Sequence, residues 1–337
     1  RNKESVLLDL AQPEPRMTLV RLLSVADVWV HNWSPRRRER LGWTYADLSL
    51  RNPALVVLEV SGFGPDGPQA DRPGYDQVAQ AEAGLMAVTG PPGHPTRFGV
   101  PITDVAAGMY GAFGVAAALL ERQRTGQGRV VHTSLLAAGV GLHAFQSTRV
   151  TVAGENPRPV GDHHPSIAPY GLFQASDAPL VLAVGTDAQW RVAAEELGLD
   201  PDGSPDAGPL ATNEDRLAAG ESLRDLLNVA LATRPARAWV EALNALGVPA
   251  GTVRDLAQVY SSQQVRSQGL IQDVAESAYG PLTLPGVPLR SATLAESSAG
   301  LGTHEVRGAP GLGEHTEQVT QWLRAMASEA SHDPEER

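Results

Sequence analysis

One carboxylate has the type and position to do chemistry. Asp104 lies in Gly99-Val100-Pro101-Ile102-Thr103-Asp104-Val105-Ala106-Ala107-Gly108, where a long alanine-rich stretch begins that reads as a helix over residues 105–124. Its position admits two readings. As an N-cap, Asp104 supplies an oxygen to free backbone N–H groups, the ordinary use of aspartate there. As a reactive group, the same N–H groups and the helix dipole favour its anion, so the carboxylate stays ionised in a partly dry cleft. Such a carboxylate attacks an activated acyl group. Gly99, Gly108 and Gly111 leave room beside it for a ligand, and serve close helix packing equally well.

Two other stretches suggest ligand binding. Gly62-Phe63-Gly64-Pro65-Asp66-Gly67 has the G-x-G-x-x-G spacing of a dinucleotide site and follows an apolar run. Its context is wrong for that role, because Pro65 and Pro68 stiffen the loop and Asp71-Arg72-Pro73-Gly74 delays the next helix. The better reading is an ordered loop at the carboxyl end of a strand, where α/β sheets bind ligands. Asn32-Trp33-Ser34-Pro35-Arg36-Arg37-Arg38-Glu39-Arg40-Leu41-Gly42 brings basic side chains suited to phosphate oxygens beside a tryptophan that could shelter a purine or a pantetheine arm. A solvated basic helix face fits the same residues. The histidines make no metal site: His163 and His164 are adjacent and would point apart, and His31, His132 and His143 are scattered. No G-x-S-x-G elbow is present, which disfavours a serine hydrolase.

These groups need a scaffold. Helical spacing at 19–24, a short strand at 28–30, a β-branched strand at 55–60, a helix at 77–88, the helix at 105–124 and a strand at 129–134 alternate, which predicts a parallel α/β sheet. Residues 154–169 read as a linker. A strand at 180–184 and helices at 188–197, 221–231 and 236–246 predict a second, smaller α+β domain. A strand at 282–284 and an amphipathic helix at 316–326 follow. The expected division is 1–135 with 282–337 as a large domain, 136–167 as linker and 168–281 as small domain.

Composition bounds the function. The chain has 337 residues, is 42% hydrophobic and 19% charged, and carries a net charge of -11. That is globular composition without the basic footprint of a nucleic-acid binder. With no cysteine, disulfides and thiol chemistry are excluded within this chain, and a reducing cytoplasm is the expected location. No apolar run is expected to approach the ~20 residues that span a bilayer.

The ordered set of motifs resembles the family III CoA-transferases, the carnitine and bile-acid inducible type, over nearly the whole chain. The landmarks are Arg1-Asn2-Lys3-Glu4-Ser5, Ala26-Asp27-Val28-Trp29-Val30-His31-Asn32-Trp33, Arg40-Leu41-Gly42, Asn52-Pro53, Ser61-Gly62-Phe63-Gly64, Arg72-Pro73-Gly74-Tyr75-Asp76, Ala79-Gln80, Gly99 to Asp104, Thr125-Gly126-Gln127-Gly128, His164-Pro165-Ser166-Ile167-Ala168-Pro169-Tyr170 and Leu312-Gly313-Glu314-His315-Thr316. The resemblance implies a Rossmann-like large domain, a small α+β domain and an interlocked homodimer. It further implies CoA transfer from an acyl-CoA to a free carboxylic acid through an aspartyl anhydride and an aspartyl-CoA thioester on Asp104. CoA and acyl-CoA enter as substrates, with no tightly bound cofactor, no metal, no nucleic acid and no membrane. By the same alignment Leu8, Asn32, Trp33, Arg40, Leu41, Ser61, Gly62 and Phe63 contact CoA. Backbone N–H groups around Gly62 are candidates for the oxyanion.

The chain departs from the family in two places. Ala11 stands where members often carry a lysine near CoA, and an upstream segment holding the first strand is expected to be missing before Arg1. Racemases related to the family use a histidine where this chain has Tyr75, and tyrosine, with an ordinary pKa near ~10, is a poor base. The resemblance therefore favours transfer. The alternatives are an acyl-CoA racemase or epimerase, and an inactive truncated CoA-binding paralogue.

Overall fold

The computed structural model describes residues 1–289 and 306–331. In chain order the first elements are α1 (Pro13–Val25), β1 (Val28–His31), α2 (Pro35–Leu41), α3 (Tyr45–Ser49), β2 (Val56–Ser61), α4 (Asp76–Glu82), α5 (Ile102–Thr125), β3 (Val130–Ser134), α6 (Leu135–Gly141) and α7 (Phe145–Thr151). Then come β4 (Tyr170–Gln174), β5 (Pro179–Ala183), α8 (Asp187–Glu196), the two-residue strands β6 (Gly203–Ser204) and β7 (Gly208–Pro209), α9 (Asn213–Leu231), α10 (Ala236–Ala245) and β8 (Ala250–Thr252). The last are α11 (Leu256–Ser261), α12 (Gln263–Ser267), β9 (Ile271–Val274), β10 (Leu282–Pro285) and α13 (Thr316–Ser331). The fold is mixed α/β with a parallel sheet, as expected.

The chain forms two compact units. The first comprises Arg1–Glu59, Ala112–Val131 and Asp255–Arg337, the second Val60–Gly111 and His132–Arg254. The boundaries of these units fall inside β2, α5 and β3 and between β8 and α11. Residues 168–254 group with the Asp104 segment, and residues 255–281 group with the N-terminal part. Of the expected large-domain segment 282–337, residues 290–305 and 332–337 lie outside the described residues.

In the first unit, β1 and β2 pair in parallel with Val28 opposite Val56 and Val30 opposite Leu58, in a sheet of order β1-β2-β3. Leu55, just before β2, and Val56 and Val57 at its start are almost fully buried because the strand is covered on both faces there, which is why the sequence is a continuous apolar run. Leu23, Trp43, Leu48 and Leu55 form the core with Val57. The basic run is a real helix. Pro35 opens α2, the Ser34 hydroxyl accepts from the Arg37 N–H, and Gly42 closes it in a left-handed conformation at φ 66°. The two ends of the chain's landmark set meet here. The Ser5 N–H donates to His315 Nδ1 at 3.2 Å, the His315 N–H returns to the Ser5 carbonyl at 3.0 Å, and the Leu7 N–H donates to Thr316 Oγ1 at 2.9 Å.

In the second unit, β4, β5 and β8 make an antiparallel sheet over a core that holds Trp190, Trp239, Leu180, Leu182, Leu227 and Leu243. Arg216 is 1% exposed within it, giving hydrogen bonds to the carbonyls of Ala168, Leu210 and Ala211 and pairing with Asp187 at 2.7 Å. α9 breaks at Gly220 (φ 51°), so the apolar periodicity over 221–231 describes only its second half. A smaller cluster of Ala79, Ala106, Ala107, Leu135 and Ala138 packs α4, the head of α5 and α6 together, using small side chains for close approach.

One expectation is corrected. By length and composition α5 is long and apolar enough to cross a membrane. Its apolarity comes from bulky side chains such as Val105, Met109, Phe113 and Leu120 as well as from alanines, and Ala106 and Ala107 near its start pack in a buried cluster with Ala79, Leu135 and Ala138.

Candidate active site

The head of α5 is fixed by a polar bracket from α4. The Asp76 carboxylate accepts the Thr103 N–H at 2.9 Å and the Thr103 hydroxyl at 2.7 Å, and also takes the Asp104 N–H. Its other oxygen accepts from Gln80 Nε2 at 2.7 Å, and Gln80 Oε1 accepts the Phe98 N–H at 2.7 Å. Gln80 and Thr103 are fully buried, so these partners satisfy groups that water does not reach. The spacing of Asp76 and Gln80 puts both side chains on one face of α4.

This arrangement corrects the cap reading. Asp104 is inside the first turn of α5, and the orphan N–H groups there are satisfied by Asp76 instead. Among the described residues nothing donates to the Asp104 carboxylate. Its side chain is exposed, yet neighbouring atoms strip enough water to raise its pKa above the ordinary carboxylate value, and the Asp76 anion raises it further. The net direction is upward, against the expectation that the helix end would favour the anion. Asp76 moves the other way. Partial burial acts to raise its pKa, but the bonds from Thr103, Gln80 and Asp104 outweigh it and hold the carboxyl below the ordinary value.

The loop after β2 reaches the same bracket. A Cβ on Gly62 would sit 2.9 Å from Gly74 Cα, and one on Gly74 would sit 2.7 Å from Gly62 Cα, so both positions require glycine. The Gly62 carbonyl accepts the Leu136 N–H at 3.0 Å, the Ser61 hydroxyl accepts the Gly64 N–H at 2.9 Å, and Phe63 is buried under the Arg72 guanidinium, 4.5 Å from its ring. Gly74 is two residues from Asp76, so Ser61, Gly62 and Phe63 are tied to the segment that holds Asp104. α4 does not begin until Asp76, so the glycine fingerprint lacks the immediate helix of a dinucleotide site.

The other candidate contacts lie in the first unit. Trp33 stacks on Trp43 at 5.4 Å, meets Trp29 edge-on at 5.5 Å, and has the Arg37 guanidinium 4.7 Å from its ring. The basic run therefore divides its labour. Arg37 covers Trp33, Arg38 turns in to pair with buried Glu59, and Arg40 and Asn32 are exposed. Leu41 is half-buried and its carbonyl accepts from Arg16. Leu8 is half-buried and follows the segment bound to His315 and Thr316. Tyr75 is 80% exposed beside Asp76. Among the described residues no group of three or more histidines and carboxylates could hold a metal ion.

Residues 1–316 match CoA-transferase family III. The chain belongs to that family. It is accordingly a CoA-transferase, and its substrates are acyl-CoA thioesters and carboxylates. It is 33% identical over 323 residues to an acetyl-CoA:oxalate CoA-transferase of Acetobacter aceti, covering 93% of this chain and 78% of that one. It is 31% identical over 332 residues to a succinate–glutarate CoA-transferase of Agrobacterium fabrum, covering 98% and 81%. A crystal structure of a CAIB/BAIF family protein from Brucella suis superposes with a TM-score of 0.83 at 29% identity, covering 96% of this chain and 82% of that one.

Sequence reasoning found Asp104 and the glycine loop but assigned no role to Asp76, Gln80 and Thr103. The available signal was a carboxylate and an amide four residues apart on a short helix, upstream of a helix start rich in N–H groups.

Proposed function

We propose that this transferase moves CoA between an acyl-CoA and a dicarboxylic acid with Asp104 as nucleophile. An Asp104 oxygen attacks the thioester carbonyl, the C–S bond breaks, and CoA leaves as thiolate from a mixed anhydride. The thiolate attacks the aspartyl carbonyl of that anhydride, forming an aspartyl-CoA thioester and releasing the donor acid. The acceptor carboxylate displaces the thiolate to form a second anhydride, and the thiolate then takes the acceptor acyl group, restoring the Asp104 carboxylate. No proton is gained or lost over the cycle.

The observation that carries this reading is the division of labour at the head of α5. Asp76 takes the capping bonds, the Asp104 carboxylate has no donor among the described residues, and desolvation together with the Asp76 anion raises its pKa. A carboxylate with higher pKa and little hydrogen bonding is the better nucleophile. The dicarboxylic class is supported by relatives named for oxalate and glutarate. CoA contacts from Leu8, Asn32, Trp33, Arg40, Leu41, Ser61, Gly62 and Phe63 belong to the same proposal. So does a homodimer through α5, whose Val105, Met109, Phe113 and Leu120 are 49%, 68%, 77% and 69% exposed. Racemisation is not favoured, because Tyr75 stands where that reaction would need a base.

Asp104→Asn tests the proposal. Transfer from acetyl-CoA to oxalate or glutarate should vanish while the thermal midpoint holds or rises, since the ionised carboxylate burdens the folded state. Transfer at the wild-type rate would refute it.

A further inference from the structure

An acceptor that carries two carboxylates meets an electrostatic problem at this site. Asp76 and Asp104 already place two carboxyl groups at the head of α5, and a dianionic acid must approach them. A cation must offset that repulsion without neutralising the nucleophile. Between Val60 and Gly111 the arginines are Arg72 and Arg97, the sequence there has no lysine, and His94 is the lone histidine. Arg72 is committed: it pairs with Glu82 at 2.7 Å and lies over Phe63. Among the described residues the Arg97 side chain makes one bond, to the carbonyl of its neighbour Phe98 at 3.2 Å, and no carboxylate there pairs with it.

The backbone beneath Arg97 is fixed on both sides. The Thr96 N–H donates to the carbonyls of Met86 and Thr89 at 3.3 and 3.1 Å, and the Thr96 hydroxyl donates to the His94 carbonyl at 2.8 Å. On the other side Phe98 is held by Gln80, which also holds Asp76. Arg97 is therefore one residue from the bracket that positions Asp104, exposed, and on a preorganised strut.

From this geometry we infer that Arg97 binds the distal carboxylate of a dicarboxylic acceptor and so selects diacids over monocarboxylic acids. The inference rests on the proposed transfer at Asp104. A guanidinium suits the task because its planar fork meets a carboxylate with two parallel N–H bonds.

The test compares wild type, Arg97→Met and Arg97→Lys in transfer from acetyl-CoA to glutarate and to butyrate, alongside calorimetric titration of each acid. Arg97→Met should raise KM for glutarate about ten- to hundredfold. It should change butyrate kinetics less than about threefold, which is within the range of a surface substitution. Arg97→Lys should recover part of the loss. Glutarate should bind wild type and not Arg97→Met in the calorimeter, a readout that needs no turnover. Equal losses for both acids would assign Arg97 a structural role and overturn the inference. So would a glutarate-specific loss in Arg158→Ala, an exposed cation of the same unit, with Arg97→Met unaffected. Transfer by Asp104→Asn at the wild-type rate would refute the Asp104 reading instead, and the titration would still report on Arg97.

Discussion

Replacing Asp76 by asparagine perturbs stability and titration at once, in directions fixed by the structure. The carboxylate now accepts from two buried side chains on opposite sides, Thr103 and Gln80. An asparagine side chain has one carbonyl oxygen and one NH2 group. With the oxygen toward Thr103, its NH2 faces Gln80 Nε2, donor against donor. Gln80 can answer only by flipping, which takes its oxygen from the Phe98 N–H. One buried donor is left unpaired in either case, at a cost of about 1–3 kcal/mol. For a chain of this length, 2 kcal/mol corresponds to about 3 °C in the thermal midpoint. Because Asp76 has a depressed pKa when folded, its stabilisation is present above the ordinary carboxylate value and is lost as pH falls through the folded pKa. The gap between wild type and Asp76→Asn should therefore close below about pH 4. Asp104 responds oppositely. Losing the neighbouring anion lowers its raised pKa, so the acid limb of kcat/KM should move to lower pH. Unfolding scans from pH 3 to 8 and a pH–rate profile read both effects. A variant that matches wild type in midpoint and acid limb would refute the bracket.

Other substitutions probe the same architecture. Gly74→Ala drives a Cβ to 2.7 Å from Gly62 Cα and should cost about 1–3 kcal/mol by denaturant titration, with loss of transfer. Arg216→Ala leaves the buried carbonyl of Leu210 and the part-buried carbonyls of Ala168 and Ala211 without their donor and should destabilise the second unit by at least about 1–3 kcal/mol, measured by urea unfolding. Phe113→Glu places a charge on the exposed apolar face of α5 and should halve the mass seen by light scattering if that face joins two copies. An unchanged mass would remove α5 from the proposed interface.

Much of the fold was legible because apolar patterns and caps act locally. The buried run of β2, the alanine-rich α5 and the Trp239 face of α10 announce themselves. Elements set by tertiary contacts were not. The helix expected over 77–88 stops at Glu82, followed by a short 3-10 turn at Leu85–Ala87, because Gly84 takes a left-handed conformation (φ 78°) that the small residues around it do not advertise. Short helices such as α3 and α7 have too few residues for periodicity to speak. The site shows the same division. Asp104 was legible as a carboxylate at a helix start, but whether it caps or reacts depends on Asp76, which lies 28 positions earlier and meets it only after folding.

A covalent acyl bond at Asp104 can be trapped with hydroxylamine. The protein is incubated with acetyl-CoA, quenched with hydroxylamine, digested and analysed by mass spectrometry. A hydroxamate on the peptide carrying Asp104, absent without acetyl-CoA and absent in Asp104→Asn, is the predicted result. Active enzyme with an unmodified Asp104 peptide, or with the adduct on another carboxylate, would rule out Asp104 as the nucleophile.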